Sequence, residues 1–436
     1  MNTEPSSDPG VEPSRRLSRR AVLGMGGATG AAALGGVGWL IGSSSPGDEP
    51  VAASLATPMP TSAPPAPTPT PSVTGGRVLV IVQCGGGNDG LNTLVPADGR
   101  YHDARPAIGL ADGDLVAMSG VDDFGLHPGL EPLTGLWDRG WLAPVAGIGM
   151  ADQSRSHFIA LESWWSGDPG TPFRGGWIGR WMDATLADDP DPLRAVALGG
   201  GSPLLAAMTS RSVAVNDPAN FSLDVPVGVD QDRFAAAYRA LADPLSNEPV
   251  IASAQAAIPS TLEAIDVLAG ASAASGDDVR PASALLTTAA SLIADEPRTS
   301  VVVINIGGFD THAGQLAQQA PLLGDLGSGI AGFFDAVEAS GDAERTLLIT
   351  TSEFGRRVAE NGSAGTDHGQ ASVGFVCGPG VSGGGVVGAY DFGNLVDGDL
   401  PVVVDTRSVY AAALDWLGGP TDEVLGGSWD RLGLLA

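Results

Sequence analysis

No lysine occurs among the 436 residues, so every fixed positive side chain is an arginine. Genomic base composition and adaptation to high salt both produce such a chain, and its low charge density and many Gly and Ala residues do not separate the two. Positive charge is scarce altogether. The 22 basic residues face 50 acidic ones for a net charge of −28, and residues 1–74 contribute only one of those net negative charges. A folded part this acidic repels the phosphate backbone, which excludes general nucleic-acid binding. Cysteine is scarcer still: Cys84 and Cys377 alone cannot make a disulfide framework, although an oxidising compartment would let them pair. Apolar residues are not lacking. At 43% they suffice for a sizeable core, in one large domain or two ordinary ones, and disorder of the whole chain is excluded.

Near the N-terminus, Ser18-Arg19-Arg20-Ala21-Val22-Leu23 leads into a Gly- and Ala-rich apolar run from Ala21 to Ile41. The pattern resembles a twin-arginine export signal. An ordinary membrane anchor is the competing reading, and the glycines, which lower hydrophobicity, favour the signal. Val51-Ala52-Ala53 and Ser54-Leu55-Ala56 are only passable cleavage sites, so a retained anchor stays open. Residues 1–42 are therefore read as signal or anchor, 43–74 as a Pro/Ser/Thr-rich disordered linker, and 75–436 as the folded domain. The expected location is periplasmic, extracellular or cell-surface. The translocase is the expected export partner, and any membrane contact would run through a retained N-terminal segment.

Within the domain, RVLVIVQ, LAPVAGIGM, LRAVALG, VVVINI, TLLITT and ASVGFVCGPG are short apolar runs that read as strands, with a further short strand in PVVVDT. Several are apolar on both faces, as expected inside a parallel sheet. Helices are expected after Ser154 or Ser156, in GWIGRWMDATL, after the strand VVVINI up to Gly341, and from about Thr406. The Ala-rich stretch 231–294 reads as helices covering the sheet, or an inserted cap, broken near Pro259 and Gly276. The alternation predicts a doubly wound α/β fold, mostly parallel, with helices on both faces.

In such sheets ligands bind beyond the carboxyl ends of the strands. Asp89, Asp310, His312 and Glu353 follow apolar runs, and Asp367 and His368 come shortly after in AGTDHGQ. Carboxylates with neutral imidazoles suit zinc, manganese or iron, and a carboxylate-rich half also suits magnesium or calcium. Each residue also has an ordinary structural reading. Asp310 and His312 can cap a helix, Asn88-Asp89-Gly90 is a common turn, the serines are good caps, and Arg356 can pair with a carboxylate.

VLVIVQCGGGNDGLNTLVP, SRSHF, GWIGRWMD, GGFDTHAGQ, TSEFGRRVAENGSAGTDHG and DTRSVYAAALDWLGG together resemble domain-of-unknown-function family 1501, whose members are exported by the twin-arginine route. That family is similar in fold to the alkaline-phosphatase and sulfatase superfamily, whose enzymes act on phosphate and sulfate esters with two metals. The resemblance implies a metal-dependent ester hydrolase with one or two divalent ions, acting on a small-molecule or glycan ester. Two registers follow. In one, TDHG supplies Asp367 and His368 to the second metal. In the other, preferred because both strand placements fit, Glu353 and Phe354 stand where the superfamily has Asp and His. Asp310, His312 and His368 then hold the first metal, with Asp367 either a ligand or behind one, and Asp89 with Glu353 hold a weaker second one. The resemblance further implies Ser154 or Ser156 as nucleophile, His157 as general acid, and Arg155, Arg356 and Arg357 as substrate-binding cations. The rival reading is a noncatalytic secreted protein with a degenerate site.

Overall fold

The computed structural model describes residues 76–168, 173–187, 189, 191–216, 222–243, 245–271 and 281–436. The expected signal or anchor, the linker and the break near Gly276 lie outside the described residues. Residues 246–254 group apart from the compact unit formed by 71–245 and 255–436.

Twelve strands are described: β1 (Val78–Cys84), β2 (Leu94–Pro96), β3 (Val116–Met118), β4 (Val121–Leu126), β5 (Leu142–Gly149), β6 (Ala195–Leu198), β7 (Val213–Val215), β8 (Val301–Ile306), β9 (Thr346–Thr351), β10 (Ser372–Cys377), β11 (Val387–Gly388) and β12 (Val404–Asp405). β2 to β4 form a small separate sheet. The others make the main sheet in the order β11-β5-β10-β9-β1-β8-β6-β7, with β12 beside β5. β1 is at its heart, parallel to β8 (Leu79 opposite Val301) and to β9 (Val78 opposite Thr346).

Alternation along β1 explains why it is apolar from Val78 to Val82. Val78, Val80 and Val82 enter one core with the helices Ala282–Asp295 and Gln315–Ser340, while Leu79 and Ile81 enter the other with Trp177–Thr185 and Thr406–Leu417. Both faces are thus covered, as the alternation of elements predicts. Gly341 ends the long helix in the left-handed conformation at φ 85°.

One expectation fails, and the structure answers two questions that the sequence left open. Pro259 does not break its helix, which runs Pro249–Ala271. The proline is exposed on the helix surface. β10 runs antiparallel to both β5 and β9, which the apolar runs could not reveal. Cys84 and Cys377 are both free and buried. Strand β9 separates β1 from β10, which puts their strands about 10 Å apart, beyond disulfide reach. Burial pushes the Cys84 thiol up to about 12 and the Cys377 thiol up as well, so neither is a ready nucleophile.

Candidate metal centre

β10 is antiparallel to β9 and to β5, so β5 and β9 point the same way. The carboxyl ends of β1, β5, β8 and β9 therefore share one edge of the sheet with the amino end of β10. β8 delivers Asp310 and His312 there, and β9 delivers Glu353. The loop after β9 folds back through a bridge between Arg356 and His368, which puts His368 at the same edge just before β10. β5 leads to Ser156, the N-cap residue of the helix His157–Ser166. The glycines after β1 make room. Gly86 has φ 119°, and a Cβ there would fall 2.4 Å from the Asp310 nitrogen; at Gly87, with φ 75°, it would fall 2.2 Å from the Phe354 ring.

Three atoms meet at this edge with matching separations. His312 Nε2 is 3.0 Å from Asp310 Oδ1 and 3.0 Å from His368 Nε2. His368 Nε2 is 3.0 Å from the same Asp310 oxygen. His157 Nε2 approaches the other oxygen, Asp310 Oδ2, at 3.5 Å. His157, Asp310 and His368 form a group whose ligand atoms lie within 4.8 Å of one another and could hold a metal ion.

The opposite ring nitrogens explain why the imidazoles face inward. Nδ1 of His157 is 2.8 Å from Glu353 Oε1, Nδ1 of His312 is 3.3 Å from Asp367 Oδ1, and Nδ1 of His368 is 2.8 Å from the Arg155 carbonyl. Each of those partners accepts hydrogen bonds, so each Nδ1 donates, which leaves Nε2 as the nitrogen that faces Asp310 and would coordinate an ion. Carboxylate or carbonyl behind imidazole is the usual support of a metal-bound histidine. The 3.0 Å spacings are also of the size set by one shared ion at about 2.0–2.2 Å, which is about 2.8–3.1 Å for ligands at right angles and about 3.3–3.6 Å in a tetrahedron. The donor set fits a metal.

Electrostatics agree. Burial pushes the Asp310 carboxyl up, but hydrogen bonds from Arg356 and His368 and the arginine's charge outweigh it and hold the group at about 2. A hydrogen bond from Asn361, assisted by His312, outweighs partial burial and lowers Asp367. Both carboxylates are ionised at neutral pH.

The remaining site residues of the sequence reading have other positions. Asp89 does not join the centre: it is 1% exposed, accepts from Arg105 Nη1 at 2.5 Å, Arg105 Nη2 at 3.0 Å and Gln315 Nε2 at 2.5 Å, and caps Leu91. Glu353 is 2% exposed and occupied by His157 and, at 2.8 Å, by the Gly86 N–H. The expected second site of Asp89 with Glu353 is therefore not assembled. Asp367 backs His312 and also accepts from Asn361 at 3.2 Å. His157, expected as a general acid, faces Asp310 with the other imidazoles. Arg356 is buried, donating to the carbonyls of Gly86, Gly87, Phe309 and Thr366 and, at 2.6 Å, to Asp310, so the ordinary ion-pair reading describes it better than substrate binding. Arg155 is paired with Asp399. Ser154 Oγ accepts from the Ser156 N–H at 3.1 Å, whereas the Ser156 hydroxyl makes no capping bond. Phe354 packs between the His157 and His368 rings, with centroids at 4.8 and 4.5 Å.

Arg105, Gln315 and Asn361 were not anticipated. Asn361 lies in an Asn-Gly turn, a recognisable signal, but nothing local marks Arg105 or Gln315 as partners of Asp89.

The fold has likenesses among solved structures. A lipoteichoic acid synthase from Listeria monocytogenes is 10% identical, with 83% of this chain and 76% of that chain covered and a TM-score of 0.42. A sulfatase from Pseudoalteromonas sp. is 13% identical, covering 83% and 72%, with a TM-score of 0.36. The C-terminal periplasmic domain of EcEptC from Escherichia coli, in complex with zinc, is 9% identical, covering 80% and 84%, with a TM-score of 0.37. At these identities and scores they carry nothing about chemistry. No curated protein matches the chain. Among the described residues no helix is long and apolar enough to cross a membrane. The model of a family described as "Protein of unknown function (DUF1501)" matches residues 148–422, more than half of the chain, and the protein belongs to that family.

Proposed function

We propose that this protein is an exported hydrolase of phosphate or sulfate esters that works with one transition-metal ion. The observation that carries the reading is the convergence of imidazole Nε2 atoms on Asp310, each ring held from behind by an acceptor. Asp310, His157, His312 and His368 would hold the ion. Imidazole favours zinc, manganese or iron over calcium and magnesium, which prefer oxygen ligands. One ion is proposed because Arg105 already neutralises Asp89. When bound, such an ion supplies Lewis acidity toward an ester oxygen.

Ser156 is the proposed nucleophile, supported by its free hydroxyl and its place directly before His157. Its Oγ loses a proton and bonds to phosphorus or sulfur, the ester oxygen leaves and takes up a proton, and water then cleaves the serine linkage. Ser156→Ala is expected to lower turnover of an activated aryl ester at least about 10³-fold with metal content unchanged. Turnover within twofold of the parent would remove the serine from the mechanism.

Elemental analysis of the folded protein tests the whole reading. About one equivalent of zinc, manganese or iron is expected; clearly less, even after reconstitution, sinks the catalytic reading and leaves a noncatalytic secreted protein. Glu353→Gln should weaken the ion about 10–100-fold in chelator competition, because the charge behind His157 is lost. Export is proposed from the Arg19-Arg20 motif. Arg19→Lys with Arg20→Lys should leave the protein in the cytoplasmic fraction, and unchanged export would exclude the twin-arginine route.

A further inference from the structure

We infer that the centre takes tetrahedral oxyesters bearing a single negative charge, sulfate monoesters or phosphodiesters, in preference to phosphate monoesters, which are dianions above about pH 6. The inference rests on the hydrolase reading above and narrows its substrate class.

Charge balance at the centre is the first reason. Asp310, Glu353 and Asp367 place three carboxylates around the imidazoles, and a divalent ion together with Arg356 would offset them without surplus. A second charge on the ligand would have no counterpart. Asp367, whose side chain is 59% exposed, would face it directly.

The second reason is that, among the described residues, the arginines bordering the centre, Arg155, Arg356 and Arg357, are all engaged. Arg356 is 2% exposed, and its donors are engaged by four carbonyls and Asp310. Arg155 is paired with Asp399, and Arg357 donates to the Asp397 carbonyl at 3.0 Å while its Nε lies 3.7 Å from the same Asp399. Burial pushes the Asp399 carboxyl up against the pull of these two arginines. Its side chain is 0% exposed, so drawing either arginine toward a ligand would strand a buried carboxylate. The acidity of the whole chain adds a long-range term of the same sign.

Phenyl sulfate, methyl phenyl phosphate and phenyl phosphate share a tetrahedral centre and an aryl group, and at pH 8 only the last is a dianion. Their affinities are compared on cobalt-loaded protein, from the change in the cobalt absorption bands and by calorimetry. At least one monoanion is expected to bind tenfold or more tightly than phenyl phosphate, and which of the two leads identifies sulfate or phosphodiester as the source. Phenyl phosphate binding as tightly as the better monoanion, or within tenfold of it, overturns the inference while leaving the hydrolase reading standing. Failure of all three to bind the metal-loaded protein overturns both.

Discussion

His368→Ala is expected to take bound metal from about one equivalent to none detectable at micromolar protein, an affinity loss above 100-fold. His368 Nε2 is the atom that meets both Asp310 and His312, so its removal opens two of the three 3.0 Å contacts at once. The ring also fills space between Phe354 and His312, with centroids at 4.5 and 4.7 Å. Loss of that packing should cost the metal-free protein about 1–2 kcal/mol, far less than the metal effect. Metal content by mass spectrometry and unfolding in the presence of chelator separate the two. Retention of one tight equivalent in His368→Ala would place the ion elsewhere.

Arg105→Ala is expected to destabilise the fold by about 3–5 kcal/mol. Arg105 and Asp89 are 0% and 1% exposed in their side chains, and truncating the arginine leaves a carboxylate buried without its cation. The arginine also donates to the carbonyls of Val358 at 2.8 Å and Arg357 at 2.9 Å, tying the turn after β1 to the loop that carries His368. Adding Asp89→Asn should recover part of the loss, because the uncompensated charge goes with it. Urea midpoints of the two variants measure this, and equal stabilities would show that the charge is not what the arginine serves.

The sheet was largely legible because its strands are buried on both faces and read as unbroken apolar runs. Strand direction was not, since a run such as ASVGFVC is apolar in either orientation, and β10 proved antiparallel. Asp310, His312 and His368 were legible as a set because strand ends converge in α/β sheets. What could not be read was the division of labour among carboxylates: Asp89, Glu353 and Asp367 differ from Asp310 in what lies close to them, and those partners come from up to 267 positions away. The antiparallel β10 also explains why two sequence registers competed. The loop from 352 to 371 begins and ends at one edge, so TSEF and TDH arrive together through the Arg356–His368 bridge rather than as alternatives.

β1 lies between two strands that begin at Val301 and Thr346, more than 200 residues later in the chain. Its pairing must therefore wait for most of the protein to be synthesised, and a topology dominated by such distant contacts folds slowly. The metal centre comes later still, because its last ligand candidate is His368. An ion cannot nucleate this fold from a local motif as it does in a zinc finger. The proposed ligands Asp310 and His368 come together only once β8 and β10 share the sheet edge.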